Sequence, residues 1–129
     1  MSATRTLRVM LVEDNAIFRE LLAFVLGNEP DIQVVAKASS LAEARERLEV
    51  SLDGRLDVAV VDLSLPDGDG TELIDELRRS NPGISVVVLC ATIEARKVSE
   101  VRRAGADTVL DKVRSYSTIA EEFRRLTGG

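Results

Sequence analysis

Short apolar runs recur along the chain with polar, helix-like stretches between them. "LRVMLV" (7–12), "IQVVAKA" (32–38), "DVAVVD" (57–62), "ISVVVLC" (84–90) and "DTVL" (107–110) are brief and mostly rich in β-branched residues. Three of them are nearly continuous rather than alternating, which suits parallel strands covered on both faces. The intervening segments change period. Residues 16–27 carry Ile17, Leu21, Leu22, Val25 and Leu26 at three- and four-residue intervals. "SLAEARERLEV" (40–50) opens with Ser40 and Glu43, the spacing of a capping box, before Ala44 and Leu48. "TELIDELRRS" (71–80) places Leu73, Ile74 and Leu77 and stops at "NPG". "EARKVSEVRRAGA" (94–106) aligns Ala95, Val98 and Val101 before Gly105, and "STIAEEFRRLTGG" (117–129) carries Ile119, Phe123 and Leu126.

Five strands alternating with five helices predict right-handed βαβ crossovers and one parallel sheet. The class is α/β, doubly wound. For this length the five-stranded, flavodoxin-like (βα)5 arrangement with strand order 2-1-3-4-5 fits best. The expected organisation is a tail over 1–6, one domain over 7–127 and a short end at 128–129, where the chain is either complete or cut before an output domain. The widest spacer, 48–57, reads as a frayed helix end and a loop.

The bulk numbers narrow the chemistry. The 129 residues can bury one core of useful size, and 45% hydrophobic with 30% charged residues is a globular mixture. A formal net charge of −5 argues against a nucleic-acid surface. Histidine is absent, which excludes His-based triads and His metal sites, and the single Cys90 can form neither an internal disulfide nor a zinc site. "MSATRTLRVMLVED" has the form of neither a signal peptide nor a membrane span, so no membrane partner and a cytoplasmic location are expected.

Against that background the acids stand out. In an open α/β sheet, ligands bind beyond the carboxyl ends of the strands, near the switch in strand order. The first run ends in Glu13 and Asp14, and the third ends in Asp62. Any one of these alone can be solvated or cap a helix; three on adjacent strand ends repel unless something neutralises them. A hard divalent cation that prefers oxygen ligands, Mg²⁺ in particular, is the natural neutraliser. Lys112, two residues past the end of the fifth run, adds a point charge suited to phosphate. A carboxylate, Mg²⁺ and a lysine are the parts needed for phosphoryl transfer onto Asp62.

With those residues in place the chain resembles a response-regulator receiver domain, of the CheY-like superfamily, over residues 7 to 127. The "ED" pair, the D-x-x-x-P-x-x-x-G pattern of Asp62, Pro66 and Gly70, and the Gly105 to Lys112 spacing carry the likeness. "DNAIFRELLAFVLGNEPDIQVVAKASS", with Val113 rather than proline after Lys112, is closest in style to the NarL/LuxR-type subfamily. The resemblance implies that Asp62 takes a phosphoryl group from the phosphohistidine of a sensor histidine kinase. It also implies that Asp14 binds Mg²⁺ directly, Glu13 mostly through water, and Ser64 through its backbone carbonyl. Lys112 would contact the phosphoryl group. Such a chain is no enzyme beyond its own phosphorylation and dephosphorylation, and it would regulate transcription through an effector outside this chain.

Two positions depart from the family pattern. Cys90 stands where receivers have Ser or Thr, so the switch contact is expected to be weaker; Cys90 reads equally well as a small buried hydrophobe. Thr92 could substitute only in a rearranged loop. Val109 stands where the family's aromatic switch residue falls. An alternative reading is therefore a pseudo-receiver, a phosphorylation-independent interaction module. A haloacid-dehalogenase-type phosphatase expects an Asp where Ser64 stands, and "DGDG" does not fit a calcium loop. No basic recognition helix follows, so this chain alone is not expected to bind DNA; a further output domain would. A homodimer, if formed, would use either the fourth helix, fifth strand and fifth helix or the face of the first helix.

Overall fold

The computed structural model describes residues 6–49, 55–91 and 94–128. Residues 1–5 of the expected tail, 50–54 of the expected spacer, Thr92 and Gly129 lie outside the described residues.

The strands are β1 (Leu7–Val12), β2 (Ile32–Ala38), β3 (Val58–Asp62), β4 (Ser64–Leu65), β5 (Gly68–Asp69), β6 (Ser85–Cys90) and β7 (Thr108–Asp111). The helices are α1 (Ala16–Gly27), α2 (Leu41–Glu49), α3 (Ile74–Ser80), α4 (Ala95–Arg103) and α5 (Ser115–Thr127). The five longer strands pair in parallel in the order β2-β1-β3-β6-β7, the expected 2-1-3-4-5 arrangement.

Strand alternation divides the interior in two. Met10, Val12, Ala59, Val61, Val86 and Val88 meet Leu41 and Ala44 of α2, Ile74 and Leu77 of α3, and Val101 of α4. Val9, Leu11, Val58, Val60, Val87 and Leu89 meet Phe18, Leu22 and Leu26 of α1 and Ile119 and Phe123 of α5. Every residue of β3 is buried, which is why this run is continuously apolar up to Asp62.

Several local expectations shift. In α1 the stripe facing the sheet is Phe18, Leu22 and Leu26; Ile17 and Leu21 point to solvent. Asn15 caps the start of this helix, its Oδ1 accepting the Phe18 N–H at 2.9 Å. Three strands begin one residue later than their apolar runs, because Asp57 and Asp107 turn their side chains back onto backbone amides of Arg8 and Val86, and Ile84 bonds to Asn81. The "TELIDELRRS" segment is not one helix: a 3₁₀ turn over Gly70–Leu73 precedes α3. Asp69 and Glu72 cap that turn reciprocally, which favours its tight geometry. At α2, Ser40 Oγ accepts the Glu43 N–H, while Glu43 returns to the Ser39 N–H rather than that of Ser40.

The remaining N-terminal amides of α2 are met from far away. Leu41 and Ala42 donate to the two oxygens of Asp67 at 2.8 and 2.9 Å, from the loop joining β4 to β5. These bonds hold the Asp67 carboxyl below its ordinary pKa. A lowered carboxyl contributes stability above its unfolded value and loses it as pH falls through the folded value. Asp67→Ala should therefore lower the melting temperature at neutral pH and speed amide exchange at the start of α2. Its deficit should shrink in acid; an unchanged gap there would refute the charged cap.

Candidate functional site

The register of the sheet brings the acids together. β1 and β3 pair with Val12 beside Val61, so Glu13 and Asp62 leave adjacent strands at one level. One oxygen each of Glu13, Asp14 and Asp62 lies within 4.8 Å of the others. Glu13 and Asp62 are buried and Asp14 is exposed, so the cluster opens to solvent on one side. Lys112 enters from β7, where its N–H donates to the Cys90 carbonyl at 2.8 Å. Its Nζ donates to Asp62 Oδ2 at 3.0 Å and lies 2.5 Å from Glu13 Oε1. The structure thus brings together Glu13, Asp14, Asp62 and Lys112.

The charges do not balance. Three carboxylates face one ammonium, and like charges held this close repel. Burial, helped by hydrogen bonding to Asp62 and opposed by Lys112, pushes the Glu13 carboxyl up to about 8. For Lys112, burial works against the charge, but the hydrogen bonds to Glu13 and Asp62 outweigh it and hold the ammonium above its ordinary pKa. Glu13 Oε1 is also a buried oxygen, and it faces the Lys112 ammonium. An all-oxygen set with surplus negative charge suits a hard divalent cation.

The sign of the resulting pH dependence is definite. An acid with a raised folded pKa holds a proton that the unfolded chain has released. Metal-free protein should therefore be most stable below the ordinary carboxyl value of 4.5 as far as Glu13 is concerned, and lose stability as pH rises to about 8. Glu13→Gln should flatten this slope in thermal melts. A slope unchanged by the substitution would place its origin elsewhere.

Hydrogen bonds and close backbone contacts frame Asp62. Ser64 donates its N–H to Asp62 Oδ1 at 3.2 Å, and Ser64 pairs with Asp69 in the antiparallel β4–β5 hairpin. Gly70 donates to the Leu63 carbonyl at 2.8 Å and lies directly against the Asp62 backbone. Buried Ser115, at the start of α5, donates its hydroxyl to the Lys112 carbonyl at 2.7 Å. Two-residue strands have no period of their own, so the hairpin was not readable from the apolar pattern.

Cys90 and Val109 belong to the apolar core rather than to the charged cluster, although the Cys90 carbonyl accepts the Lys112 N–H. Cys90 is 2% exposed within the core that contains Val88, Val101 and Ala106, and half-buried Val109 packs on the same core. Burial raises the thiol pKa; Lys97 opposes this, and Asp62 and Asp69 add to it. The thiol is therefore the neutral, weakly donating form.

Sequence reasoning missed Phe18 and Tyr116. The Lys112 ammonium stands over the Phe18 ring, 5.1 Å from its centroid, and the Tyr116 ring is tilted by 53° against Phe18 at 5.1 Å. It also missed Arg19, whose Nη1 donates to the Glu13 carbonyl at 2.8 Å. Asn15 before an apolar helix was a usable capping signal; nothing in the order of residues pairs Phe18 with Lys112.

Comparison with known proteins agrees with this arrangement. Residues 9–124 match the response regulator receiver domain family. The DNA-binding transcriptional activator DevR/DosR of Mycobacterium tuberculosis is 36% identical over 99 residues, covering 77% of this chain and 44% of that protein. The response regulator VraR of Staphylococcus aureus is 28% identical over 124 residues, covering 96% of this chain and 58% of VraR. The chain thus spans about half the length of the curated relatives it matches. Among solved structures, the NarL receiver domain of M. tuberculosis superposes with a TM-score of 0.84 at 26% identity, over 97% of this chain and 98% of that one. Among the described residues no helix is long and apolar enough to cross a membrane. With the match spanning nearly the whole sheet and the acidic edge intact, this chain belongs to the response regulator receiver domain family, on the side of its NarL/LuxR-type members.

Proposed function

We propose that the chain is a phosphorylation switch that takes a phosphoryl group on Asp62 from the phosphohistidine of a sensor histidine kinase. The observation that carries this reading is Lys112 Nζ at 3.0 Å from Asp62 Oδ2, beside the acidic cluster. An Asp62 carboxylate oxygen attacks phosphorus, an O–P bond forms, the P–N bond breaks, and its electron pair stays on the leaving imidazole. Lys112 turns from the carboxylates to an oxygen of the incoming group. Asp14, Asp62, Glu13 and the Ser64 carbonyl are the groups that would hold Mg²⁺, Asp14 directly and Glu13 mainly through water. Bound there, Mg²⁺ neutralises the carboxylates and the transferring oxygens. The chain's own catalysis is confined to this gain and loss of the phosphoryl group.

The output would be control of transcription through an effector outside this chain, in keeping with a relative named as a DNA-binding transcriptional activator. Contact with DNA would then belong to that effector. Val109 and the neutral thiol of Cys90 replace the aromatic and hydroxyl groups of the usual switch, so the step from phosphorylation to output would run differently here. For a homodimer, exposed Ile17, Leu21 and Phe24 favour the α1 face over α4, β7 and α5.

The test is intact-mass spectrometry after incubation with Mg²⁺ and a small acyl phosphate. A single phosphoryl increment that requires Mg²⁺ is expected. No increment, together with no spectral response to the phosphoryl mimic beryllofluoride, would overturn the reading in favour of a phosphorylation-independent interaction module.

A further inference from the structure

We infer that Phe18 is a positioning residue of the phosphoacceptor site: its ring face holds the Lys112 ammonium in place for Asp62, and Tyr116 braces the ring from α5. The inference rests on the reading of Lys112 and Asp62 given above.

A lysine side chain has a long, flexible stem, and fixing its end costs rotamer entropy. Two sets of contacts fix Lys112. On one side stand Asp62 and Glu13. On another is the Phe18 ring, with the ammonium 5.1 Å from its centroid, within the range where a cation is drawn to the negative face of an aromatic ring. These contacts differ in what happens when the site is used. A divalent cation or a phosphoryl group at the carboxylates competes for their charge and weakens their hold on the lysine. The ring quadrupole does not change on ligation, so it keeps the ammonium near the reacting atoms throughout, as positioning requires.

Phe18 is itself well anchored. Its N–H donates to Asn15 Oδ1, the next residue is tied to the Glu13 carbonyl, and its ring packs with Leu22, Leu89 and Ile119 of the α1–α5 side. The half-buried Tyr116 ring leans on it in a tilted aromatic contact. Tyr116 lies one residue beyond Ser115, whose hydroxyl holds the Lys112 carbonyl. Backbone and side chain of Lys112 are thus set by the same start of α5. A plain core role for Phe18 would be met equally well by an aliphatic side chain, and this is where the two accounts separate.

The experiment compares Phe18→Leu, Phe18→Tyr and the unaltered chain. It measures the initial rate of phosphoryl uptake from an acyl phosphate at saturating Mg²⁺ and, separately, the affinity for Mg²⁺. Phe18→Leu should slow uptake about fivefold, the worth of one partly desolvated cation–π contact. Mg²⁺ affinity should stay unchanged, and Phe18→Tyr, which keeps a ring face, should restore the rate. If Phe18→Leu does not fold, Tyr116→Leu gives the same comparison, with a smaller loss of rate at unchanged Mg²⁺ affinity. Uptake at the normal rate in a folded leucine variant, or a tyrosine variant as slow as the leucine one, would overturn the positioning role alone. An unaltered chain that takes up no phosphoryl group would instead overturn the function proposed above, and this role with it.

Discussion

Asp62→Asn is expected to abolish phosphoryl uptake while leaving the fold in place. The substitution keeps the volume of the buried side chain and can still accept the Ser64 N–H. It replaces a carboxylate oxygen by an amide whose lone pairs are poor nucleophiles, and loss of a nucleophile costs on the order of a thousandfold or more. Intact-mass spectrometry with Mg²⁺ and an acyl phosphate reads the outcome directly. An increment that persists in the variant would put the nucleophile on another carboxylate, with exposed Asp14 the first to examine. A second consequence follows from the charges. Asp62 helps to raise the Glu13 pKa both through a hydrogen bond and through like-charge repulsion. With a neutral side chain in its place, Glu13 should ionise at lower pH, and the stability lost between 4.5 and about 8 should shrink. Thermal melts of the metal-free variant over that window measure this independently of phosphorylation.

Gly70→Ala is expected to be the most damaging single-methyl change in the described chain. A Cβ built on Gly70 falls 2.1 Å from the Asp62 carbonyl oxygen and 2.7 Å from Val61 Cγ1. Both neighbours belong to β3, which is buried along its whole length, and the Gly70 N–H is tied to the Leu63 carbonyl. Neither side can yield without moving the strand that carries Asp62 or the turn that leads into α3. Overpacking against backbone of this kind costs about 3 kcal/mol or more, a loss of about 10 °C in Tm for a domain of this size. Phosphoryl uptake should fall as well, since the same shift displaces Asp62. Gly83→Ala is the control. Its Cβ meets nothing within 4 Å, so its melting temperature should hardly change. Equal melting temperatures for the two variants would show that the β3 contact is not tight.

Gly70 also shows how far a motif can be read. A glycine in D-x-x-x-P-x-x-x-G suggests plain turn chemistry, yet its φ is not in the left-handed region. The glycine is required by the approach of its backbone to Asp62, a distance that sequence spacing does not express. Asp67 is similar. In "PDGDG" it reads as one more turn acid, and it caps a helix whose first residues lie 26 and 25 positions earlier. The misassigned stripe of α1 has a related cause: Ile17 and Leu21 match a helical period as well as Phe18 and Leu22 do. Only contact with the sheet and α5 selects the phase.

The sequence by itself determined the five βα units, their parallel order and the edge at which Glu13, Asp14, Asp62 and Lys112 gather. It could do so because hydrophobic period is local: an apolar run or a helical stripe is complete within about ten residues, and acids placed just after the runs must emerge at the carboxyl ends. Tertiary structure alone decided the raised Glu13 pKa, the Gly70 contact with Asp62, the Asp67 cap on α2 and the Phe18 ring under Lys112. Apart from the Gly70 contact, which needs a close backbone approach that spacing does not express, each of these depends on the distance between segments far apart in the chain. Such distances are set by sheet register and by the packing of helices on its two faces, and no linear pattern of residues carries them.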